Sequence, residues 1–213
     1  MKPMTDLLYH TVSARTSRFA AAAKPDPIRL LLCWAVLGIG AGTLLYGAAP
    51  AFSARLLLTQ GLAVSDEARS LWEVCRTALC PLLILLGGIW LSGCAAFGQP
   101  AALLLLFSRG TAFGLAAAEC CANYPLRDGI VITAALILPF GFCSILLLCY
   151  AVRDALSLSN RMTKFLLYGT AEPECCTQGH DRLTDLLGIL LLAIVAAGLH
   201  TLLLYLLNDR LLA

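Results

Sequence analysis

Residues Leu83–Ala118 read LILLGGIWLSGCAAFGQPAALLLLFSRGTAFGLAAA, two apolar runs separated by Gly98-Gln99-Pro100. Each run belongs to an apolar stretch of the length, about 20 residues, that a helix needs to cross the ~30 Å hydrocarbon core of a bilayer. Within lipid, a helix is the only plausible form for such a run, because it satisfies its own backbone polar groups. We therefore predict two membrane-spanning helices, antiparallel neighbours joined by a tight cytoplasmic turn at Gly98 and Pro100.

Further apolar stretches lie on both sides of this pair. Apolar residues make up 60% of the 213-residue chain and charged residues 13%, roughly half the ~25% charged content of soluble domains. We predict an all-α fold, a polytopic membrane helix bundle of about five transmembrane helices. The predicted spans are Ile28–Ala49, Thr77–Phe97, Ala101–Ala122, Gly129–Val152 and Leu183–Leu207.

The distribution of basic residues predicts the orientation of the bundle. Four Lys and Arg precede the first span, Arg29 is its second residue, and four more lie between spans four and five, nine in all, against five on the opposite side. Because cytoplasmic loops are enriched in Lys and Arg, we predict the N-terminus inside and the C-terminus outside. Residues 1–27 would then be a cytoplasmic basic segment within which no signal peptide is recognisable, and residues 153–182 a cytoplasmic linker.

Two segments outside the spans are apolar enough to lie on the membrane surface. Asp154–Tyr168 in the linker has apolar residues near helical spacing and a polar side at Arg161 and Lys164, a pattern typical of interfacial helices. Phe52–Leu62 is short and apolar and would lie along the outer surface. A simple linker is the alternative for both.

Charged residues within the third span are the first candidates for a functional site, because burying a charge in a membrane is costly. Arg109 lies about a third of the way into this span, and Glu119 is near its outer end. Two interpretations of Arg109 remain open. Its long side chain could snorkel to the cytoplasmic face, or it could be a polar anchor for a neighbouring helix or a partner. Glu119 would reach the headgroups.

Small residues predict where helices approach closely. Gly110 and Gly114 form a GxxxG motif directly after Arg109, and Gly38 and Gly42 form another in the first span. Such faces allow tight packing of helices within a bundle or between subunits, so a homo-oligomer is possible. Pro139 removes a backbone hydrogen bond from the fourth span and is expected to kink it.

The sequence gives little support to catalysis or nucleic-acid binding. HExxH, P-loop and paired intramembrane aspartate motifs are absent from it. Ser92 and His200 suggest an intramembrane serine protease, but Trp90 stands where that family's nucleophile motif has glycine. A lone membrane histidine is more often packed than catalytic. The scattered basic residues lack interleaved aromatics, so we predict neither an enzyme, nor a cofactor, nor a nucleic-acid partner.

The ten cysteines are interpreted as reduced thiols, because most of them lie inside apolar runs, where Cys behaves as a small hydrophobe. The segment Glu174-Cys175-Cys176 with His180 and Asp181 contains soft ligands. It lacks the paired CxxC spacing of a structural zinc site, and we predict no metal.

The Leu83–Ala118 stretch resembles the stage II sporulation protein M family, which has a G-x-P turn, a leucine-rich run, and a basic residue before glycines. The matching residues here are Gly98 and Pro100, the Leu103–Leu106 run, and then Arg109, Gly110 and Gly114. In the fourth span, Leu138-Pro139 and the inner basic residue Arg153 look similar again. That span departs from the family at Phe140, where members often have a polar residue.

This resemblance implies a non-catalytic scaffold for forespore engulfment in the plasma membrane of a spore-forming bacterium. It would hold two septal peptidoglycan-degrading enzymes, the stage II sporulation proteins D and P. The alternative is a permease or transmembrane subunit of a transport system. A transporter usually needs polar residues along its pathway, and the deep polar residues here are few.

Overall fold

A computed structural model describes residues 27–48, 56–57, 71–123, 125, 129–131, 133–168 and 178–211 of the chain. Five long helices carry the fold, and within these ranges there is no strand, so the predicted all-α helix bundle is confirmed. All five are long and apolar enough to span a bilayer, and the chain is a multi-pass membrane protein. The helices are α1 (Pro27–Ala48), α2 (Leu71–Gly93), α3 (Gln99–Asn123), α4 (Leu138–Tyr168) and α5 (Gln178–Leu211).

Helices α3 and α4 form the centre of the bundle. About half of the α3 span is buried and nearly as much of α4, whereas α1, α2 and α5 expose most of their surface. Helix α1 packs on α3 and α4, while α2 and α5 pack against each other and against α4. Because lipid is as apolar as leucine, the exposed Leu and Val residues of the outer helices are in their preferred surroundings.

The fourth span changes its helical geometry at mid-course. A π-helical segment, Thr133–Ile137, directly precedes α4, whose second residue is Pro139. Proline has no N–H to donate to the preceding turn, and a widened turn accommodates the missing bond. On the N-terminal side of this segment, Gly129 packs against α3: a Cβ on Gly129 would lie 2.8 Å from the carbonyl oxygen of Cys120.

The connection between α2 and α3 differs from the predicted turn. Helix α2 ends at Gly93, short of the predicted Phe97, and α3 already begins at Gln99. The connection is therefore residues 94–98, and Pro100 lies in the first helical turn. Proline is tolerated there because the first N–H groups of a helix have no partner within it. The third span, despite Arg109 and Glu119, is one continuous helix.

The first half of the predicted linker 153–182 is helical, because α4 continues without a break past the predicted span end at Val152 to Tyr168. Asp154–Tyr168 is therefore part of α4 rather than a separate helix. Ser159 and Thr163 hold this C-terminal extension of α4 against the α2–α3 connection. The N-terminal basic segment lies outside the described residues apart from its last residue, Pro27. Of Phe52–Leu62 the structure describes Leu56 and Leu57, and Leu57 is buried.

Candidate functional site

The glycine motifs of the first and third spans face each other. A Cβ added to Gly38 would lie 2.7 Å from the carbonyl oxygen of Phe107. One added to Gly42 would collide with the carbonyl of Thr111, and Gly110 and Gly114 meet the backbone of α1 in the same way. Four glycines on two helices thus allow direct backbone contact between α1 and α3 within the bundle.

The position of Arg109 in the bundle is set by this packing, because the residue lies on α3 directly before Gly110. Its side chain is fully buried, with 0% of its surface exposed. The Nε–H donates a hydrogen bond of 3.2 Å to Ser144 Oγ on α4, and Ser144 Oγ donates in turn to the carbonyl oxygen of Gly141 at 2.8 Å. The guanidinium also lies over the ring of Phe140, 5.4 Å from its centroid.

The ring of Phe140 connects this arginine to the fifth helix. Phe140 stacks on the imidazole of His200 with the ring centroids 4.4 Å apart and an interplanar angle of 16°. A second aromatic, Phe113 of α3, lies over the position of Gly141, where a Cβ would collide with its ring. The cluster of Arg109, Phe140, Ser144 and His200, which we name the arginine cluster, therefore ties α3, α4 and α5 together.

The structure settles several alternatives left open by the sequence. Arg109 does not snorkel, since its buried side chain contacts α4, so it is a polar anchor for a neighbouring helix. His200 is packed, as expected, against an aromatic ring. Ser92 donates to the carbonyl oxygen of Ile89 in its own helix, at 2.7 Å. Its hydroxyl is thus engaged in a local bond common to membrane serines.

A second group of polar residues lies where α2 ends and α3 begins, at the side of the bundle that the predicted orientation makes the inner one. Ser159 Oγ is 2.9 Å from the carbonyl oxygen of Ala95, and Thr163 Oγ1 is 2.6 Å from that of Ala96. Both carbonyls follow the end of α2, where no further helical turn supplies donors, and that of Ala95 also accepts from the backbone N–H of Gly98 at 3.1 Å. Gln99 Nε2 adds a 3.0 Å bond to Asn160. We name this group the inner clamp, since it fixes the α2–α3 connection to α4.

Gly98 and Pro100 contribute to the clamp through the backbone. A Cβ on Gly98 would collide with the carbonyl of Ser92, so glycine is required for the connection to fold back on the end of α2. The Gly98 carbonyl accepts the first hydrogen bond of α3, 3.1 Å from the nitrogen of Ala102. The residues that carry the sequence resemblance at this turn are therefore structural.

Neither partner of Arg109 was predicted from the sequence, and of the inner clamp only the turn residues Gly98 and Pro100 were. Ser144 and Phe140 stand four residues apart on α4, on one face of the helix, and that spacing was the available signal. Ser159 and Thr163 are also four apart. Nothing in either pattern alone identifies the partner helix.

Metal binding and disulfide formation find no site in the part of the chain that the structure describes. The eight cysteines in these ranges are free thiols, and no group of three potential metal ligands occurs there. The segment from Glu174 to Cys176 lies outside the described residues, as do the side chains of His180 and Asp181.

Fold and site together define the class: a polytopic all-α membrane protein organised around a buried arginine and a glycine-packed helix pair. Comparison with protein-family models, with curated proteins and with solved structures gives no match.

Proposed function

We propose that the protein is a non-catalytic membrane scaffold for forespore engulfment during sporulation, holding septal peptidoglycan-degrading enzymes. The proposal rests on one observation. Three residues that carry the family resemblance, Arg109, Gly110 and Gly114, are buried at contacts between helices. In a scaffold, such residues build a rigid frame, and partners bind at its surface. The resemblance to the stage II sporulation protein M family supplies the biological role.

Rigidity of the frame is supported by the bonds between helices. The arginine cluster connects three helices at membrane depth, and the inner clamp connects α4 to the α2–α3 turn. Within the arginine cluster, Arg109 is hydrogen-bonded to Ser144 and lies over the ring of Phe140, and such pairing is typical of charged residues that face the interior of a membrane bundle. The proposed partners are the stage II sporulation proteins D and P, acting on the outer side of the plasma membrane.

A transport subunit is the second candidate, and one observation favours it. The π-helical segment Thr133–Ile137 interrupts the fourth span beside the arginine cluster, and transporters often have broken helices near the midplane. Against it, Arg109 has 0% of its surface exposed and is engaged by Ser144 and Phe140. A pathway residue would be expected to face a water-filled cavity.

The test is deletion of the gene in its spore-forming host, followed by membrane-dye imaging of sporulating cells. A scaffold predicts forespores stalled with a flat or bulging septum, and rescue by the wild-type gene. The variant Gly42→Leu, which collides with α3, should fail to rescue, whereas Gly47→Leu, where an added Cβ meets nothing within 4 Å, should rescue. Normal engulfment in the deletion strain, with no related gene present, would overturn the proposal and favour transport.

Partner binding is tested in the same strain. The tagged protein is captured from solubilised membranes, and the stage II sporulation proteins D and P are detected by immunoblot. Both should be recovered with wild type and with Gly47→Leu in equal amounts. The holding role would be contradicted if deletion of the gene blocks engulfment but the tagged wild-type protein, at its normal expression, recovers neither enzyme.

A further inference from the structure

A groove at the inner side of the bundle faces away from α1. It has a volume of about 370 Å³ and lies between α2, α4 and α5. Its walls are mostly apolar, and its lining extends over about two helical turns on each helix, ~10 Å along the axis. We name it the inner groove. Its lining includes Leu83, Gly87 and Trp90 of α2, Asp154 and Ala155 of α4, and Asp185 of α5.

Two carboxylates at this groove select what can bind there. Asp154 and Asp185 line it at the end that the predicted orientation places at the cytoplasmic face. Asp154 contacts the neighbouring Arg153 at 3.1 Å, and Asp185 lies on α5. The cytoplasmic surface of a membrane attracts cations, and anionic lipid headgroups would be repelled by these aspartates. The occupant should be apolar along its length and basic at its inner end.

The floor of the groove is shaped for another helix. An added Cβ on Gly87 meets nothing within 4 Å, so this glycine borders open space. Small residues on such a face permit close approach of a second helix backbone.

Helix α1 of the same chain has the required chemistry. Its face turned away from α3 is exposed and includes Arg29, Cys33 and Leu37, spaced four residues apart. Leu37 is 61% exposed. From Arg29 to Leu37 this face extends ~12 Å, which matches the length of the groove, with the basic residue at the inner end.

The depths of the two surfaces agree as well. Trp34 of α1 donates a 3.0 Å hydrogen bond to the carbonyl of Leu103, which places Arg29, about 7.5 Å further in, level with the start of α3. The end of α2 lies beside α4 at that level: a Cβ on Gly93 would be 2.9 Å from the Cα of Ala155. Copies inserted in one membrane share their depths, so Arg29 of one copy meets the inner end of the groove of another.

We propose that the inner groove of one copy binds helix α1 of a second copy, with Arg29 facing Asp185 and Asp154 across the interface. The two surfaces lie on different sides of the bundle, since α1 packs on α3 and α4 and the groove lies between α2, α4 and α5. The contact is therefore head-to-tail, and repeated contacts close a ring or extend a chain. The proposal does not depend on a role in sporulation.

Energy transfer between donor- and acceptor-labelled copies in proteoliposomes tests this, with the protein-to-lipid ratio varied. Wild type should associate with a saturating midpoint. Arg29→Glu and Asp185→Arg should each weaken association by more than about tenfold, because like charges then face each other. Combining them should restore association. Lys164→Glu, an exposed charge on α4 outside both surfaces, is the matched control and should leave the midpoint unchanged.

Gly87→Leu provides a second test that does not depend on charge. The Cβ of the new side chain meets nothing within 4 Å and the leucine extends into the groove, so folding should persist while association weakens. A wild-type chain that stays monomeric at every ratio overturns the proposal, whether the groove then holds lipid or another protein. Charge reversals that leave the midpoint unchanged, or that are not restored in combination, overturn it too.

Discussion

Arg109 and His200 both contact the ring of Phe140: the guanidinium lies 5.4 Å from the ring centroid, and the imidazole stacks on the same ring with the centroids 4.4 Å apart. A ring face is electron-rich and attracts a cation most strongly where water is excluded. Phe140 thus offsets part of the cost of burying a charge, and it does so at the position where the sequence departs from the family it resembles.

Phe140→Leu should destabilise the protein more in the presence of Arg109 than in its absence. We expect a coupling energy of about 1–2 kcal/mol between Phe140→Leu and Arg109→Leu, because the leucine at 140 leaves the buried guanidinium without its ring. The measurement is a double-mutant cycle of unfolding free energies in bicelles by steric trapping. Phe142→Leu, at a position that is 56% exposed, is the control and should cost far less. Strictly additive effects would contradict the contact.

Gly42→Leu should separate α1 from α3. The added side chain collides with the Thr111 carbonyl, and overpacking of this kind costs about 1–3 kcal/mol or more. Unfolding free energy is again the readout, with Gly47→Leu as a control on the same helix. Equal stabilities of the two variants would argue against a backbone contact between the glycine motifs.

Ser159→Ala should loosen the α2–α3 connection. The substitution removes a donor to the Ala95 carbonyl and should cost about 1 kcal/mol. Hydrogen exchange of the amides in residues 94–98 should become faster, because the connection is then held by fewer bonds. Ser157→Ala is the matched control, since Ser157 bonds only the Asp154 carbonyl of its own helix. Unchanged hydrogen exchange of these amides in Ser159→Ala would show that the inner clamp does not hold the α2–α3 connection.

Thiol labelling tests the predicted orientation. Cys120, near the outer end of α3, is only 3% exposed and labels poorly, whereas Cys121 beside it is exposed. Cys94 is exposed in the α2–α3 connection, at the opposite end. Two variants are needed, one with Cys121 and one with Cys94 as its single cysteine. A membrane-impermeant maleimide added to intact cells should label Cys121 and not Cys94. Labelling of Cys94 alone would mean that the bundle is inserted the other way round.

The elements of the fold could be predicted because each span is an apolar run of bilayer length, and the glycine contacts because GxxxG motifs have a known packing mode. The arrangement around Arg109 could not be derived in this way. Snorkelling and anchoring differ by which helix stands beside the arginine, and that depends on how Gly110 and Gly114 dock on α1. Nothing in the sequence distinguishes Ser144 from other serines in the spans, because its bond to Arg109 depends on where α4 packs.

The length of α4 could not be predicted for a related reason. Charged residues from Arg153 onward led to a predicted span end at Val152, followed by an interfacial helix or a simple linker over Asp154–Tyr168. Helix α4 continues because Ser159 and Thr163 find acceptors on a connection more than sixty residues earlier in the chain. Such long-range bonds have no trace in the local pattern of apolar residues.

The π-helical segment before Pro139 also fixes the rotational phase between the two halves of the fourth span. A wide turn contains one residue more than an α-helical turn, and each residue rotates a helix by about 100°. With Thr133–Ile137 in this form, Gly129 faces Cys120 of α3 while Phe140 faces Arg109 of the same helix. Removing one residue from the turn would make the helix more regular. Only one of the two contacts, that of Gly129 or that of Phe140, could then still face α3. A regular helix would therefore fit α3 less well than the π-helical one does.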